Sequence, residues 1–233
     1  MRQQLQLVPE NSLDPANLLE KIKDWGGEIV GIGDVSVGLP PDFKGISTAI
    51  SLALIHPEQS QQIESQIYEY RYPEIEQNLE HIQKKISKEL RGDGWRFLEI
   101  PADTSKQRNR LISKIYPLFP HKTAATCAGL GWVGKSGLLI NPHNGPRLSW
   151  ATVLTNAPYL ATGKPYIHGQ CGHCNACVQA CPAGAISGSE WSRNTNYETM
   201  IDIVSCAQQL ENNRITNGEL ACGLCIKVCR RGH

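Results

Sequence analysis

Apolar residues recur along this chain with two periods. After Asp14-Pro15, Leu18, Leu19, Ile22 and Trp25 fall on one helix face, with proline near the helix start and Gly26-Gly27 as its stop. Ile75, Leu79, Ile82, Ile86 and Leu90 repeat fours and threes within a helical stretch over residues 60–91, which Gly92 stops and Pro73 bends or divides. Residues 28–33, 49–55 and 95–100 read as short strands, and residues 105–115 as a further helix. Residues 138–141 and 148–155 add two strands joined across a Pro-His-Asn-Gly turn at 142–145. The mixture predicts an α+β fold. A Gly/Pro-rich stretch at 161–169 divides the chain into residues 1–163 and 164–233.

At 233 residues there is room for one medium domain and one small one. No apolar run approaches membrane-spanning length and the start of the sequence has no export signal, so no membrane partner and a cytoplasmic location are expected. The net charge of +1 conceals an asymmetry. Residues 1–103 carry ten Lys/Arg against seventeen Asp/Glu, whereas residues 104–189 carry eight Lys/Arg and no carboxylate. Such a segment suits an anionic partner or cofactor, or forms a solvated basic face balanced by the acidic first third. Acid–base chemistry hosted there must use His, Lys, Tyr or Cys.

Eight of the nine cysteines carry the chemistry. Cys171, Cys174, Cys177 and Cys181-Pro182 form C-x2-C-x2-C-x3-C-P, the bacterial two-cluster run in which the fourth cysteine serves the other cluster. Cys206 and then Cys222, Cys225 and Cys229 follow. The crossing rule assigns Cys171, Cys174, Cys177 and Cys229 to one [4Fe–4S] cluster and Cys181, Cys206, Cys222 and Cys225 to a second. Zinc would use separated C-x2-C knuckles, and a disulfide framework would spread its cysteines along a secreted chain. Two linked clusters imply electron transfer.

Gly129 to Ser136 also satisfies G-x4-G-K-S, the phosphate-binding loop of nucleotide hydrolases. That loop needs a strand before it and a helix after it. Here residues 121–128 read as polar helix and the following Leu138-Leu-Ile-Asn-Pro as strand, the reverse order. The glycines instead permit sharp turns or close approach to a flat cofactor.

The stretch Ala128-Gly-Leu-Gly-Trp-Val-Gly-Lys-Ser-Gly-Leu-Leu-Ile-Asn-Pro, then Val153-Leu-Thr-Asn-Ala-Pro-Tyr, then the eight cysteines with Cys206 as the isolated ligand, resembles the epoxyqueuosine reductases. The resemblance is strongest over residues 120–229, and it extends to the reductive dehalogenases. It implies a nitroreductase-like domain followed by a two-cluster ferredoxin-like domain, with cobalamin between them and reduction by electrons delivered through the clusters. It places Gly131, Trp132, Gly134 and Lys135 on the corrinoid side. It also implies an electron donor such as ferredoxin or flavodoxin, and a modified nucleoside or other small molecule as substrate. The match departs from the family at four points. The family's proton-donating aspartate has no counterpart in Ile115-Tyr-Pro-Leu-Phe-Pro-His-Lys, and Cys127 replaces the usual arginine. Arg230 replaces the usual proline, and the family's helical-repeat extension does not follow Cys229, so the expected substrate need not be a tRNA base.

Without that aspartate the proton-donor candidates are His121, Lys122 and Tyr116. Each also has an ordinary reading, His121 as a helix-start residue and Tyr116 as core. Cys127 reads as a small buried hydrophobe, and the cluster Tyr68, Tyr70, Arg71 and Tyr72 as packing or pocket lining. Two alternatives to a corrinoid reductase remain open: an electron-transfer protein without corrinoid, and a flavin-bearing reductase.

Overall fold

A computed structural model describes residues 12–39, 41–56, 73–100, 119–218 and 222–231. The expected helix at 105–115, the cluster at Tyr68–Tyr72 and Tyr116 lie outside these residues. Helix α1 covers Ala16–Asp24, and strands β1 (Ile29–Asp34) and β2 (Thr48–Ile55) follow. Next come α2 (Pro73–Gly92), β3 (Phe97–Ile100) and α3 (His121–Cys127). The short strands β4 (Trp132–Val133) and β5 (Leu139–Ile140) form their own pair ahead of β6 (Leu148–Thr155). The remaining helices are α4 (Ala176–Ala180), α5 (Ile203–Asn217) and α6 (Leu224–Lys227). The helix start at Pro15, the stop before Gly26 and the strands at 28–33, 49–55 and 148–155 agree with the sequence to within a residue or two.

The four-stranded sheet runs β1-β2-β6-β3 with every neighbour antiparallel. Its two faces differ because β2 alternates large and small residues. Ile50, Leu52 and Leu54 point to the face where Leu18 and Ile22 of α1 and Leu79, Ile82, Ile86 and Leu90 of α2 are buried. The apolar face of α2 that is visible in the sequence is therefore the face that meets the sheet. Buried Gln83 fastens this layer, its amide nitrogen donating to the Ile100 carbonyl at 2.7 Å and to that of Thr152 at 2.9 Å. Ala49 faces the other way, where Val35, Phe119, Ala124, Cys127 and Leu154 form a second, smaller core under α3.

Close approach of α3 to β1 depends on the missing side chain at Gly33. A Cβ there would lie 2.5 Å from the backbone nitrogen of Ala128 and 2.5 Å from the carbonyl carbon of Cys127. Neither backbone atom can move without shifting α3, so Gly33→Val should cost about 1–3 kcal/mol by overpacking. Chemical denaturation would register the loss. Unchanged stability would mean that α3 is not seated on β1.

The smallest core belongs to the last quarter of the chain. Val133, Ile186, Met200 and Ile201 are buried there, packed against Val178, Trp191, Tyr197 and the thiol-bearing Cys177, Cys181 and Cys225. So few apolar side chains give little independent stability, and the cysteines themselves form part of the core.

Candidate functional site

The eight cysteines of the run lie in short loops and helices built for close ligand spacing. Gly172 and Gly223 each follow the first cysteine of a C-x2-C pair and adopt φ of +55° and +65°, which lets the chain reverse between the two thiols. The other thiols of each set come from elsewhere: Cys229, beyond α6, joins the first set, while Cys181 at the end of α4 and Cys206 from the first turn of α5 join the second.

The thiols act on one another in two groups. Cys177 is pushed up by burial and then by Cys171, Cys229 and Cys174. Cys229 is raised by burial and feels Cys171 and Cys174. Cys206 is raised by burial and then by Cys181 and Cys222. Cys225 is pushed up to about 12 by burial, then by Cys222, Cys177, Cys206 and Cys181, so it belongs with the second group and also touches the first through Cys177. A four-iron cubane takes four thiolates, and each group supplies four, so the donor chemistry fits two clusters.

A cavity of about 1100 Å³ opens beside the second group. That is large for a small-molecule site, roughly 300–1,000 Å³, and suits a bulky cofactor. Most of its wall comes from α3 with Pro120, the β4–β5 pair with the start of β6, and residues 191–203, with Val37, Gly38 and Glu76 added from earlier segments. Much of the lining is apolar, including Val37, Val133, Leu139 and Trp150, while among the described residues Lys122 and Arg193 supply positive charge and Glu76 a carboxylate.

His121 and Lys122 both line this cavity. Buried His121 meets Thr152 on β6, its Nδ1 2.8 Å from Oγ1. Lys122 Nζ lies 4.3 Å from the ring centre of Tyr197, and burial pushes the lysine down to about 8. Tyr197 is raised by burial and then by Cys206 and Cys225. It therefore stands between the cavity and the second thiol group.

Gly131, Trp132, Gly134 and Lys135 are not among the residues that line the cavity. A Cβ on Gly131 would meet the Ile140 carbonyl oxygen at 2.2 Å, so this glycine lets β4 and β5 approach. Trp132 is buried against Tyr166, ring centres 5.7 Å apart, with no partner for its indole N–H among the described residues. A Cβ on Gly134 would reach the Cys171 sulfur at 3.5 Å. Buried Lys135 donates from Nζ to the Gly172 carbonyl at 2.7 Å and to Asn175 Oδ1 at 2.9 Å, with Glu190 at 3.9 Å. Gly134 and Lys135 thus face the first cysteine loop, whereas Gly131 serves the β4–β5 pair and Trp132 packs on Tyr166. The phosphate-loop pattern at 129–136 has α3 before it and β5 after it, the opposite of the order a nucleotide loop requires.

Two site residues gave no sequence signal. Tyr197 is one, and Arg193 is the other. Arg193 Nη2 donates to the Tyr166 carbonyl at 2.7 Å and lies 3.4 Å from Thr126 Oγ1, while Nη1 donates to Cys127 Sγ at 3.2 Å. Its guanidinium ties the segment after the first cysteines to the end of α3. Cys127 is buried, as read from the sequence, and its thiol is raised chiefly by burial. Arg193→Met should cost about 1.5–3 kcal/mol, because it leaves the Tyr166 carbonyl without its charged donor. A denaturation midpoint equal to the parent's would show the tie to be idle.

Residues 170–232 match the family described as a 4Fe-4S double cluster binding domain. This part of the chain is an iron–sulfur module. Beyond it the protein resembles epoxyqueuosine reductases. The enzyme of that name from Leadbetterella byssophila is 35% identical over 113 residues, which cover 46% of this chain and 35% of the relative. The one from Cyclobacterium marinum is 27% identical over 187 residues, covering 74% of this chain and 58% of the relative. The chain thus spans less than two thirds of these relatives. Among solved structures, an epoxyqueuosine reductase with an epoxyqueuosine-modified tRNA-Tyr stem loop superposes with a TM-score of 0.63 at 17% identity, over 93% of this chain and 64% of that one. A catabolic reductive dehalogenase gives a TM-score of 0.63 at 20% identity, over 95% of this chain and 32% of that one. Both superpositions establish a shared fold. No helix among the described residues is long and apolar enough to cross a membrane.

Proposed function

We propose that the protein is a reductase that takes up two [4Fe–4S] clusters and a corrinoid. Cys171, Cys174, Cys177 and Cys229 would hold one cluster, and Cys181, Cys206, Cys222 and Cys225 the other. The residues of the large cavity would hold the corrinoid. When bound, the clusters supply single electrons and the corrinoid supplies a reducing centre at cobalt. The likeness to epoxyqueuosine reductases supports the reductase class, and the shared fold with a B12-dependent dehalogenase supports the corrinoid.

The observation that carries this reading is the position of Tyr197. It lines the cavity, packs under Lys122 and lies within electrostatic reach of Cys206 and Cys225. A cofactor in the cavity and a cluster on the second thiol group would share that wall. A change of bonding partners close to residues 163 and 164 supports the division there. Thr162 bonds to Ile32 on β1 and the Tyr166 N–H still donates to the Thr126 carbonyl, whereas Ile167 and His168 pair with Arg193 and Ser192. The sheet with helices on both faces supports a nitroreductase-like first domain, and the two cysteine groups support a ferredoxin-like second.

Reductive cleavage of a carbon–halogen bond consumes two electrons and one proton, and removal of oxygen as water consumes two electrons and two protons, the second drawn from solvent. Lys122 donates the first proton from Nζ, and His121, fixed by Thr152, sits beside it in the wall. The substrate is a modified nucleoside or another small molecule. Cobalamin added to the iron-loaded protein should slow hydrogen exchange in α3 and in residues 191–197 together. Uptake without that footprint, or no uptake, contradicts the seating. In that case the alternatives are an electron carrier, or a flavin-bearing reductase that releases flavin on denaturation.

A further inference from the structure

Charge around the two thiol groups divides by sign. The exposed residues on the side of Cys171, Cys174 and Cys229 include Lys164, His168, His173, Lys227, Arg230 and Arg231, with Glu190 as the opposing carboxylate. Their placement is fixed by short links. His173 lies within the first C-x2-C loop. Arg231 hydrogen-bonds to Cys229 through the backbone and lowers its thiol by charge. The Arg231 guanidinium also sits 5.6 Å from the ring centre of Trp132, whose ring in turn meets that of Tyr166 at a tilt. Tyr166 shares a shallow hollow of about 490 Å³ with Lys164, His168 and Gln170, the residue before Cys171. Lys227 ends α6, which packs on α4 of the same loop. The side of Cys206 is the reverse. Glu198, Asp202 and Glu211 surround the start and middle of α5, and Arg214 there is already paired with Glu211.

The basic side also has an apolar centre and an open thiol. Ile167, in the hollow, is 54% exposed and Cys174 is exposed; the α5 side likewise exposes Cys206, Ile203 and Val204, so the sign of the charge distinguishes the two sides. None of the six basic residues lines the large cavity. An exposed apolar residue within a predominantly basic rim is the anatomy of a transient protein-docking patch, in which the charges set encounter rate more than affinity.

We infer that this rim is the docking face for an acidic one-electron carrier protein, which is oxidised there as the chain gains the electron at the first thiol group's cluster. The inference rests on the cluster reading above. The apolar centre favours a protein over a nucleic acid, whose phosphates would need only the charge.

The test uses iron-loaded protein mixed rapidly with reduced flavodoxin, following both association and bleaching of the cluster band. Association should slow at least ~10-fold between low and high salt, as steered encounters do. Joint Lys164→Glu, Lys227→Glu and Arg230→Glu substitution should slow it by a further factor of about 10 or more at low salt. Joint Glu198→Lys and Glu211→Lys substitution on the α5 side should not slow it, and bleaching by dithionite should proceed alike in all three proteins. A salt-independent rate in the parent overturns the inference. So does equal slowing by the α5 pair, or a rim substitution that weakens binding of an RNA stem loop and spares flavodoxin. Iron counts on each protein separate this outcome from failure of the cluster reading, in which no variant would hold iron at all.

Discussion

Cys225→Ala should leave the purified protein with about four irons per chain in place of about eight, and should reduce turnover to background. Cys225 sits on α6 in the small core with Met200 and Ile201. Burial and four neighbouring sulfurs push its thiol up to about 12, so without metal it stays protonated at neutral pH. Only a cation sharing the site makes the thiolate stable there, which is the work of cluster iron. Cys225 is also the thiol of the second group that feels Cys177 of the first, so its removal strikes where the two groups meet. The first group should keep its four irons and one reduced-cluster resonance. A variant that retains all eight irons would show that another ligand completes the second cluster.

Lys122→Met should lower turnover by about 10²–10⁴-fold while leaving the protein at least as stable as before. The lysine is held at about 8, below its ordinary 10.5, chiefly by burial. At pH 7 it is still about nine-tenths protonated and can donate; above pH 8 it cannot, so turnover should fall along an alkaline limb near that value. The stability effect has the opposite sense. A lysine whose folded value is depressed destabilises the fold while it is charged, a cost present below about 8 and relieved as pH rises from there towards 10.5. At neutral pH this cost is on the order of 1–3 kcal/mol, part of which the Tyr197 ring offsets. Removing the charge therefore stabilises the protein and disables it. A pH–rate profile and a thermal melt on the same variant check both halves. A variant with full activity and an unchanged alkaline limb would leave Lys122 without a role in proton transfer.

What the sequence discloses follows from the range of each interaction. The faces of α1 and α2 are local, set by Leu18 and Ile22 and by Leu79 to Leu90, and all of these are buried where the periodicity places them. The double-cluster module is legible for the same reason, since the C-x2-C spacings hold several ligands within one loop. Strand β5 falls inside the strand expected at 138–141, whereas the two-residue β4 is too short to show a period and its glycine-rich stretch reads simply as turn. Sheet order was not legible, because β3 pairs with β6 across some fifty intervening residues. The cavity is least visible of all. Gly38, Glu76, His121, Leu139, Ser149 and Tyr197 meet there from six separate segments. His121 and Lys122 could be proposed because their segment lacks carboxylates. Arg193 and Tyr197 lie in the unremarkable stretch between the cysteine sets, and no spacing singles them out. The Gly131 to Lys135 stretch matched the family pattern, yet its side chains serve the β4–β5 pair and the first cysteine loop.

The central claim is that one chain brings two clusters and a corrinoid to a shared wall. Its most direct test is a count of iron and cobalt on protein purified without oxygen after growth with cobalamin. About eight irons with one cobalt per chain is the expected result. About eight irons with no cobalt, even after incubation with free cobalamin, would contradict the corrinoid reading and leave an iron–sulfur electron carrier.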